Sequence, residues 1–248
     1  MDIVSRTIKR ILVIAGIIIG IPALVLGVIF YQMTSAMSEA IPLETGKIGD
    51  DILVIRDGVS NIFFVRDGSQ YILFDCANDK APVAEQMGAL DIDPADVTAV
   101  FLTHTDSDHV GALGLFDHAK LYFSKKEEQM INGQTPRFFR IVKNSIHRSD
   151  YTLLDDRQLI TIGNLTIQSY CVPGHTAGTM AYLVNDKYLF TGDILSLEEG
   201  KIAPIPPIFN MNTPQAVESM EIIRYIPKAE YIFTAHWGYT DDYLTAVE

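Results

Sequence analysis

Four side chains that can bind a metal ion lie within six consecutive residues, in the segment Thr103-His104-Thr105-Asp106-Ser107-Asp108-His109. An apolar, β-branched run at Val97–Leu102 precedes them and predicts a buried strand. Because alternate residues of an extended segment project to one side, His104, Asp106 and Asp108 are expected to converge. A single histidine after an apolar strand is usually a hydrogen-bonded core residue. Four such side chains together, with His109 able to reach a second ion, indicate a metal site instead.

Three further polar side chains each follow a predicted strand and lie at a turn. His175 lies in a Pro-Gly-His-Thr turn, Asp193 follows Thr-Gly, and His236 precedes Trp-Gly. Loops at strand ends are where α/β enzymes place their chemistry. The candidate metal ligands are therefore His104, Asp106, Asp108, His109, His175, Asp193 and His236.

The elements that must position these loops follow from hydrophobic patterning. A helix is predicted near Ala81–Leu90, and a second one before the last strand, with Thr213 as N-cap and Pro214 at its first position. Strands followed by alternating strands and helices, twice over, predict two β-rich halves with helices outside. Strands are predicted at Asp51–Arg56, Asn61–Val65, Tyr71–Phe74, Val97–Leu102, Lys120–Phe123, Leu165–Val172, Met180–Val184, Lys187–Phe190 and Tyr231–Thr234.

The N-terminal region contains a run of 21 uncharged residues, from Ile11 to Tyr31. At about 1.5 Å per residue it is long enough to cross a hydrocarbon core of ~30 Å. Three basic residues precede the run and acidic residues follow it, so the positive-inside rule predicts a cytoplasmic N-terminus. A signal peptide cleaved near Ser38-Glu39-Ala40 and a buried core helix are the alternatives.

We therefore predict a single-pass anchor in the cell membrane at residues 1–32, a linker at 33–47 and an extracytoplasmic domain at 48–248. The whole chain has a formal charge of −12. Such an acidic protein has no electrostatic footprint for nucleic acid, which predicts a small-molecule substrate and no nucleic-acid partner. The oligomeric state is not predicted. Cys76 and Cys171 are either a disulfide, which an oxidising compartment permits, or two buried thiols.

The order of these motifs over about residues 48–240 resembles the metallo-β-lactamase superfamily, whose pattern is His-x-His-x-Asp-His, a Pro-Gly-His-Thr turn, an Asp and a final His. The resemblance implies a four-layer αββα sandwich with two divalent metal ions at one edge, Zn²⁺ with iron or manganese as alternatives. It implies that one ion is held by His104, Asp106 and His175, and the other by Asp108, His109 and His236. Asp193 would bridge the two ions, and Asp75 would support the metal loop from behind.

One position departs from the family, because Asp106 stands where the second histidine of the motif is expected. A carboxylate still coordinates zinc, but it is shorter, charged and harder, which favours iron or manganese. It also resembles the flavodiiron branch, which has a glutamate there. A degenerate site with one metal or none is the alternative.

The expected function is a metallo-hydrolase in which a hydroxide between the metals attacks an ester, thioester, lactone or phosphodiester. Asp108 is the predicted catalytic residue, because it would orient the nucleophile and accept its proton. An iron-dependent redox enzyme of the same fold and a non-catalytic metal-binding membrane module are the alternatives. The segment Arg137–Tyr151 falls where family members elaborate their substrate pockets, and the Pro-rich loop Ala203–Asn212 lies beside Asp193. His118 and His147 are expected at the surface.

Overall fold

The computed structural model describes residues 2–137, 141–227 and 229–248, with side chains from Thr7 onward. The chain divides into two units, Met1–Glu39 and Ala40–Glu248. The first unit is helix α1, Asp2–Met37, which contains Pro22. Its segment Thr7–Met37 is long and apolar enough to cross a membrane, although a signal sequence would pass the same test. The helix thus includes residues 33–37 of the predicted linker.

The first large sheet of the second unit has seven strands arranged in chain order. The first four strands pair antiparallel, and the last four of the seven, β4 to β7, pair parallel to one another. Helix α2 (Lys80–Ala89) connects β4 to β5, and the short helices α3 (Ser107–Val110) and α4 (Glu128–Ile131) follow β5 and β6. The strands are β1 (Gly46–Ile48), β2 (Ile52–Asp57), β3 (Ser60–Asp67), β4 (Gln70–Phe74), β5 (Val97–Phe101), β6 (Lys120–Ser124) and β7 (Tyr151–Leu154).

The second large sheet has six strands and contains one parallel pair, β11 with β14. A separate two-stranded ribbon, β12 with β13, lies between β11 and β14 in sequence. Helix α5 (Thr213–Arg224) follows the ribbon. Helix α6 (Tyr243–Val247) follows the last strand. The strands are β8 (Leu159–Ile162), β9 (Leu165–Cys171), β10 (Met180–Val184), β11 (Tyr188–Gly192), β12 (Ser196–Glu198), β13 (Lys201–Ala203), β14 (Tyr231–Thr234) and β15 (Tyr239–Thr240).

Three apolar clusters arrange these elements in four layers. The central cluster joins the facing sides of the two sheets, where the rings of Phe74 and Phe190 stack 4.1 Å apart. A second cluster packs α2 against the outer face of the first sheet, through Val83 and Met87. The third packs α5 and α6 on the outer face of the second sheet. The predicted αββα sandwich is confirmed.

Local details differ from the prediction where the deciding contact is not local. The N-cap of α5 is Asn212, whose side chain accepts a hydrogen bond from the Gln215 backbone N–H, so the prediction of Thr213 as N-cap is wrong. Cys76 and Cys171 are both buried free thiols, so the disulfide alternative is also wrong. Cys76 belongs to the cluster outside the first sheet and Cys171 to the one between the sheets.

Candidate metal centre

The candidate ligands converge because four strands end at one edge of the sandwich. The parallel pair β4 and β5 brings Asp75 and Thr103 together, and the parallel pair β11 and β14 does the same for Asp193 and His236. Hydrogen bonds join the sheets at this edge, among them those from Tyr182 Oη to the Leu102 carbonyl and from the Met180 N–H to the Thr103 carbonyl. Both halves of the sandwich are therefore needed to build the centre.

Close backbone approaches require glycine at two of these strand ends. Gly192 has a φ of +56°, and a Cβ there would clash with the side chain of Thr103. Gly178 follows the His175 turn and lies against the backbone of Glu127, where a Cβ would also clash. The turns that carry Asp193 and His175 can thus pack against the first sheet only with glycine at these positions.

The first group of ligand atoms, which we call the Asp106 subsite, consists of His104, Asp106 and His175. The two Nε2 atoms of His104 and His175 are 3.1 Å apart. The Oδ2 atom of Asp106 is 3.4 Å from His175 Nε2 and 3.7 Å from His104 Nε2. Asp193 Oδ2 lies 3.6 Å from His175 Nε2, which joins this group to the next one.

The second group, the Asp108 subsite, consists of Asp108, His109 and His236. His236 Nε2 is 3.5 Å from Asp108 Oδ2 and 3.2 Å from Asp193 Oδ2. His109 Nε2 is 3.8 Å from Asp108 Oδ2 and 3.4 Å from Asp193 Oδ1. The prediction that Asp108 projects from an extended segment beside Asp106 is wrong, because the chain turns into α3 at Ser107. The turn directs Asp108 to this second group.

These distances fit a metal centre. Atoms bound at about 2.0–2.2 Å to one tetrahedral zinc lie roughly 3.4 Å from one another, and the separations in both subsites scatter around that value. His109 Nε2 and Asp193 Oδ1 are buried and have no hydrogen-bond partner among the described residues. Polar atoms in that condition are costly unless something else satisfies them, and a cation between them would do so.

Three of the four histidines are oriented through their other ring nitrogen. His109 Nδ1 is 3.0 Å from Asp75 Oδ2, and His236 Nδ1 is 2.8 Å from the Val59 carbonyl oxygen. His104 Nδ1 is 3.0 Å from the hydroxyl of Thr103. The hydrogen bonds of His104 and His236 fix their tautomers and present Nε2 to the centre, as in metal-binding histidines generally, whereas Asp75 contacts His109 Nδ1 as an ion pair.

Asp75 lies behind the metal loop, in the position that the family resemblance implies. It accepts hydrogen bonds from the Thr103 N–H and hydroxyl, in addition to its contact with His109. Its backbone has a φ of +60°, an uncommon conformation for a residue with a side chain. This strained turn aims the carboxylate back toward the strand end that carries the ligands.

The carboxylates and imidazoles of the centre shift one another's pKa values. Burial opposes ionisation of Asp193, but the adjacent His236 and His109 outweigh it and hold the pKa of the carboxyl well below its usual range. Burial also favours neutral His109, yet the carboxylates of Asp193, Asp75 and Asp108 raise its pKa. For His104, burial dominates and lowers the pKa, so its ring is neutral and able to coordinate.

Sequence reasoning missed two side chains that bind Asp106. Arg137 Nη2 lies 2.5 Å from Asp106 Oδ2, and Asn144 Nδ2 donates to Oδ1 at 2.8 Å. Burial raises the pKa of Asp106, but a hydrogen bond from His175 and the charges of His104 and Arg137 outweigh it, so the pKa is lowered. A signal was available, because a carboxylate in place of a histidine adds a buried negative charge that needs a counter-cation.

Glu127 was also missed, although it joins the two loops that carry His104 and His175. It is fully buried and accepts hydrogen bonds from the N–H and hydroxyl of Thr105, the hydroxyl of Thr176 and the N–H of Gly178. Burial raises its pKa to about 7 even though these donors favour the ionised form. No local pattern distinguishes this glutamate from the surface residues Lys125, Lys126 and Glu128 around it.

The remaining sequence-based expectations concern surface residues. His118 and His147 are both exposed, and His147 pairs with Asp117 at 2.7 Å. Neither lies in a group of possible metal ligands among the described residues. The segment 137–151 contributes Arg137 and Asn144 to the centre, and Phe209 of the Pro-rich loop accepts a hydrogen bond from Arg137 through its carbonyl.

Comparison with known proteins supports this description. A family model described as the metallo-beta-lactamase superfamily matches residues 55–236. The hydroxyacylglutathione hydrolase of Aeromonas hydrophila is 30% identical over 179 residues, which cover 71% of this chain and 60% of that protein. The probable polyketide biosynthesis zinc-dependent hydrolase PksB of Bacillus subtilis is 40% identical over 107 residues, 42% of this chain and 41% of that protein. The chain thus spans about half the length of these curated relatives.

Among solved structures, a B3 metallo-β-lactamase with an active-site glutamic acid has the same fold. It superposes with a TM-score of 0.62 at 16% sequence identity, over 87% of this chain and 88% of that one. At this level of identity the likeness concerns the fold alone.

Proposed function

Because the chain belongs to the metallo-β-lactamase superfamily and is a metallo-hydrolase of that superfamily, we propose that its centre binds two divalent ions and that these ions are zinc. The centre then cleaves an ester, thioester, lactone or phosphodiester bond. The observation that supports this most is the convergence of seven ligand-type side chains from four loops, with ligand atoms 3.1–3.8 Å apart. The named hydrolases among its relatives favour an acyl substrate.

We propose that the ligands divide between the two subsites. His104, Asp106 and His175 would hold one ion, and Asp108, His109 and His236 the other. Asp193 would serve both, since its carboxylate oxygens face histidines of each group. When bound, divalent ions supply Lewis acidity and lower the pKa of water toward neutrality.

Asp108 is the proposed catalytic residue. Its side chain is 33% exposed, more than those of the other carboxylates in the centre. From this position at the open side, Oδ2 can accept the proton of an attacking water while the water oxygen bonds to the carbonyl or phosphoryl centre. The bond to the leaving oxygen or sulfur then breaks, and the proton passes from Asp108 to that leaving group. The hydroxyl of Ser60, 3.4 Å from Oδ2, helps to orient the carboxylate.

We also propose that α1 anchors the chain in the cell membrane, with the catalytic domain outside the cytoplasm. Its apolar side chains are exposed over most of its length, as those of a lipid-facing helix are. Alkaline extraction of membranes should leave the full-length chain in the pellet, and protease should digest the domain from the outer side. A mature chain that begins near Ala40 would show a cleaved signal sequence instead.

The test of the hydrolase proposal is metal analysis and turnover of the full-length chain purified in detergent. We expect about two zinc or manganese ions per chain and hydrolysis of at least one member of a panel containing an ester, a thioester, a lactone and a phosphodiester. Removal of the metal with a chelator should abolish turnover, and its return should restore it. Bound iron without hydrolysis would support the redox alternative, and absence of metal after supplementation would contradict the proposal.

A further inference from the structure

Arg137 is a buried cation at one side of the centre. Its side chain is only 4% exposed. Nη1 donates to the His175 carbonyl at 2.7 Å, and Nη2 donates to the Phe209 carbonyl at 3.1 Å as well as to Asp106. A guanidinium with these partners is fixed in position rather than available to a substrate.

The same guanidinium faces two of the three ligand atoms of the Asp106 subsite. Nη2 lies 2.5 Å from Asp106 Oδ2 and 3.4 Å from His175 Nε2, within hydrogen-bonding geometry of both. Asn144 engages the other oxygen of Asp106 and also the Thr105 hydroxyl. The lone pairs that would bind a cation in this subsite are therefore already shared with N–H donors.

Among the residues that the structure describes, none supplies such a cation to the Asp108 subsite. Within the described residues, the ion pairs of Asp108 and Asp193 are formed with histidines, and no lysine or arginine nitrogen lies within 4.0 Å of either carboxylate. Among these residues the counter-charges of the two carboxylates are therefore histidines, which give up a proton when they bind a metal, whereas the charge of Arg137 is permanent. In the Asp106 subsite, the Asp106–Arg137 pair is neutral overall, as the histidine of the family motif would be.

We propose that Arg137 makes the Asp106 subsite the weaker of the two metal sites, so that the centre fills unequally. A divalent ion bound to Asp106 and His175 must displace shared hydrogen bonds and lie beside a fixed positive charge, and both effects reduce affinity. The Asp108 subsite, together with Asp193, holds the first ion. Arg137 is thus a positioning residue that controls metal occupancy. This inference rests on the proposed metal-dependent function.

The test is the stepwise addition of Zn²⁺ to the metal-free full-length chain in detergent, in competition with a chromophoric chelator. For the native chain we expect two zinc equivalents whose dissociation constants differ by at least about tenfold. Arg137→Gln removes the charge and should tighten the weaker site by at least about tenfold while leaving the tighter site unchanged. Arg137→Lys keeps the charge and should stay close to the native chain.

Arg148→Gln is the matched control, since Arg148 is a buried arginine of the same segment that binds Asp150 and the Phe116 carbonyl, outside both subsites. Two equally tight zinc sites in the native chain would overturn the inference without any variant. An Arg137→Gln chain that folds by circular dichroism but binds the weaker zinc less tightly would also overturn it. Two equal sites with hydrolysis leave the proposed function standing, whereas no zinc at either site contradicts that function.

Discussion

The two subsites of the centre lie at the same edge of one sandwich, yet their surroundings differ. Asp106 is enclosed by Arg137 and Asn144, and both of its oxygens accept hydrogen bonds. Asp193 Oδ1 has no hydrogen-bond partner among the described residues, and neither has His109 Nε2, which lies 3.4 Å from it. A ligand set read from a motif therefore does not describe a metal site until the charge around it is known.

The largest effect is expected from Asp193→Ala, because this carboxylate faces histidines of both subsites. We expect loss of at least one metal ion and a fall in kcat/KM on the order of a thousandfold or more. Elemental analysis and turnover of the preferred panel substrate measure both. Asp241→Ala, which removes an exposed carboxylate, is the control. Retention of two metals by Asp193→Ala would contradict the ligand assignment.

A pair of histidine variants distinguishes metal binding at the Asp106 subsite from metal binding at the Asp108 subsite. His236→Ala should weaken zinc binding at the tighter site by more than ~10–100-fold. That is the loss of metal affinity typically seen when a residue that only hydrogen-bonds to a metal ligand is removed. His104→Ala should leave one tightly bound zinc and remove the weaker one. Chelator competition gives the two constants for each variant. If both variants affected the same zinc ion equally, the division into two subsites would be wrong.

Glu127 provides a pH-dependent test of the loops on the Asp106 side. Its pKa in the folded chain is about 7, above its ordinary value of 4.5, so the folded state holds the proton over a range where the unfolded state releases it. Stability from this group is therefore lost as the pH rises from about 5 to 8, by on the order of 3 kcal/mol.

Glu127→Gln cannot titrate and should lose this dependence. The free energy of unfolding of the native chain, measured relative to Glu127→Gln with chemical denaturant, should decrease between pH 5 and pH 8. Glu85→Gln, which changes an exposed carboxyl group, is the matched control. A difference that does not vary with pH would show that Glu127 is ionised throughout.

The smallest effect concerns the start of α5, which is tied to the His175 turn by the hydrogen bond from the Asn212 N–H to the Gly174 carbonyl. Asn212→Ala removes the side-chain cap and should cost about 1 kcal/mol of stability. Thr213→Ala, at the position favoured by the sequence, should cost less than about half of that. Denaturant unfolding ranks the two, and a larger loss at Thr213 would contradict the observed cap.

The sequence was most informative where the deciding information is local. Hydrophobic runs located β10 and β14 at their observed bounds, and the strand-end positions of His175, Asp193 and His236 followed from the turns around them. Short strands at the edges of the sheets, such as β1 and β8, were missed because three or four residues carry little periodicity.

The part of the centre that could not be predicted depends on contacts between distant residues. Arg137 binds Asp106 across 31 residues and Phe209 across 72. Glu127 binds Gly178 across 51. Nothing in the residues near Arg137 specifies those partners, because the contacts exist only after both sheets have packed. The need for a cation beside Asp106 could have been inferred from charge alone, but its identity could not.

The pairing of β11 with β14 has a consequence for how the chain folds. The ribbon β12–β13 and helix α5 separate these neighbouring parallel strands in sequence. Pairing the strands therefore closes a long loop, and the entropic cost of that closure is offset only late in folding. Since Asp193 and His236 meet only when this pair has formed, a folding intermediate that lacks it would have an incomplete set of ligands. The zinc binding proposed for this centre should therefore occur at the end of folding, and uptake of the ion would report the yield of correctly folded protein.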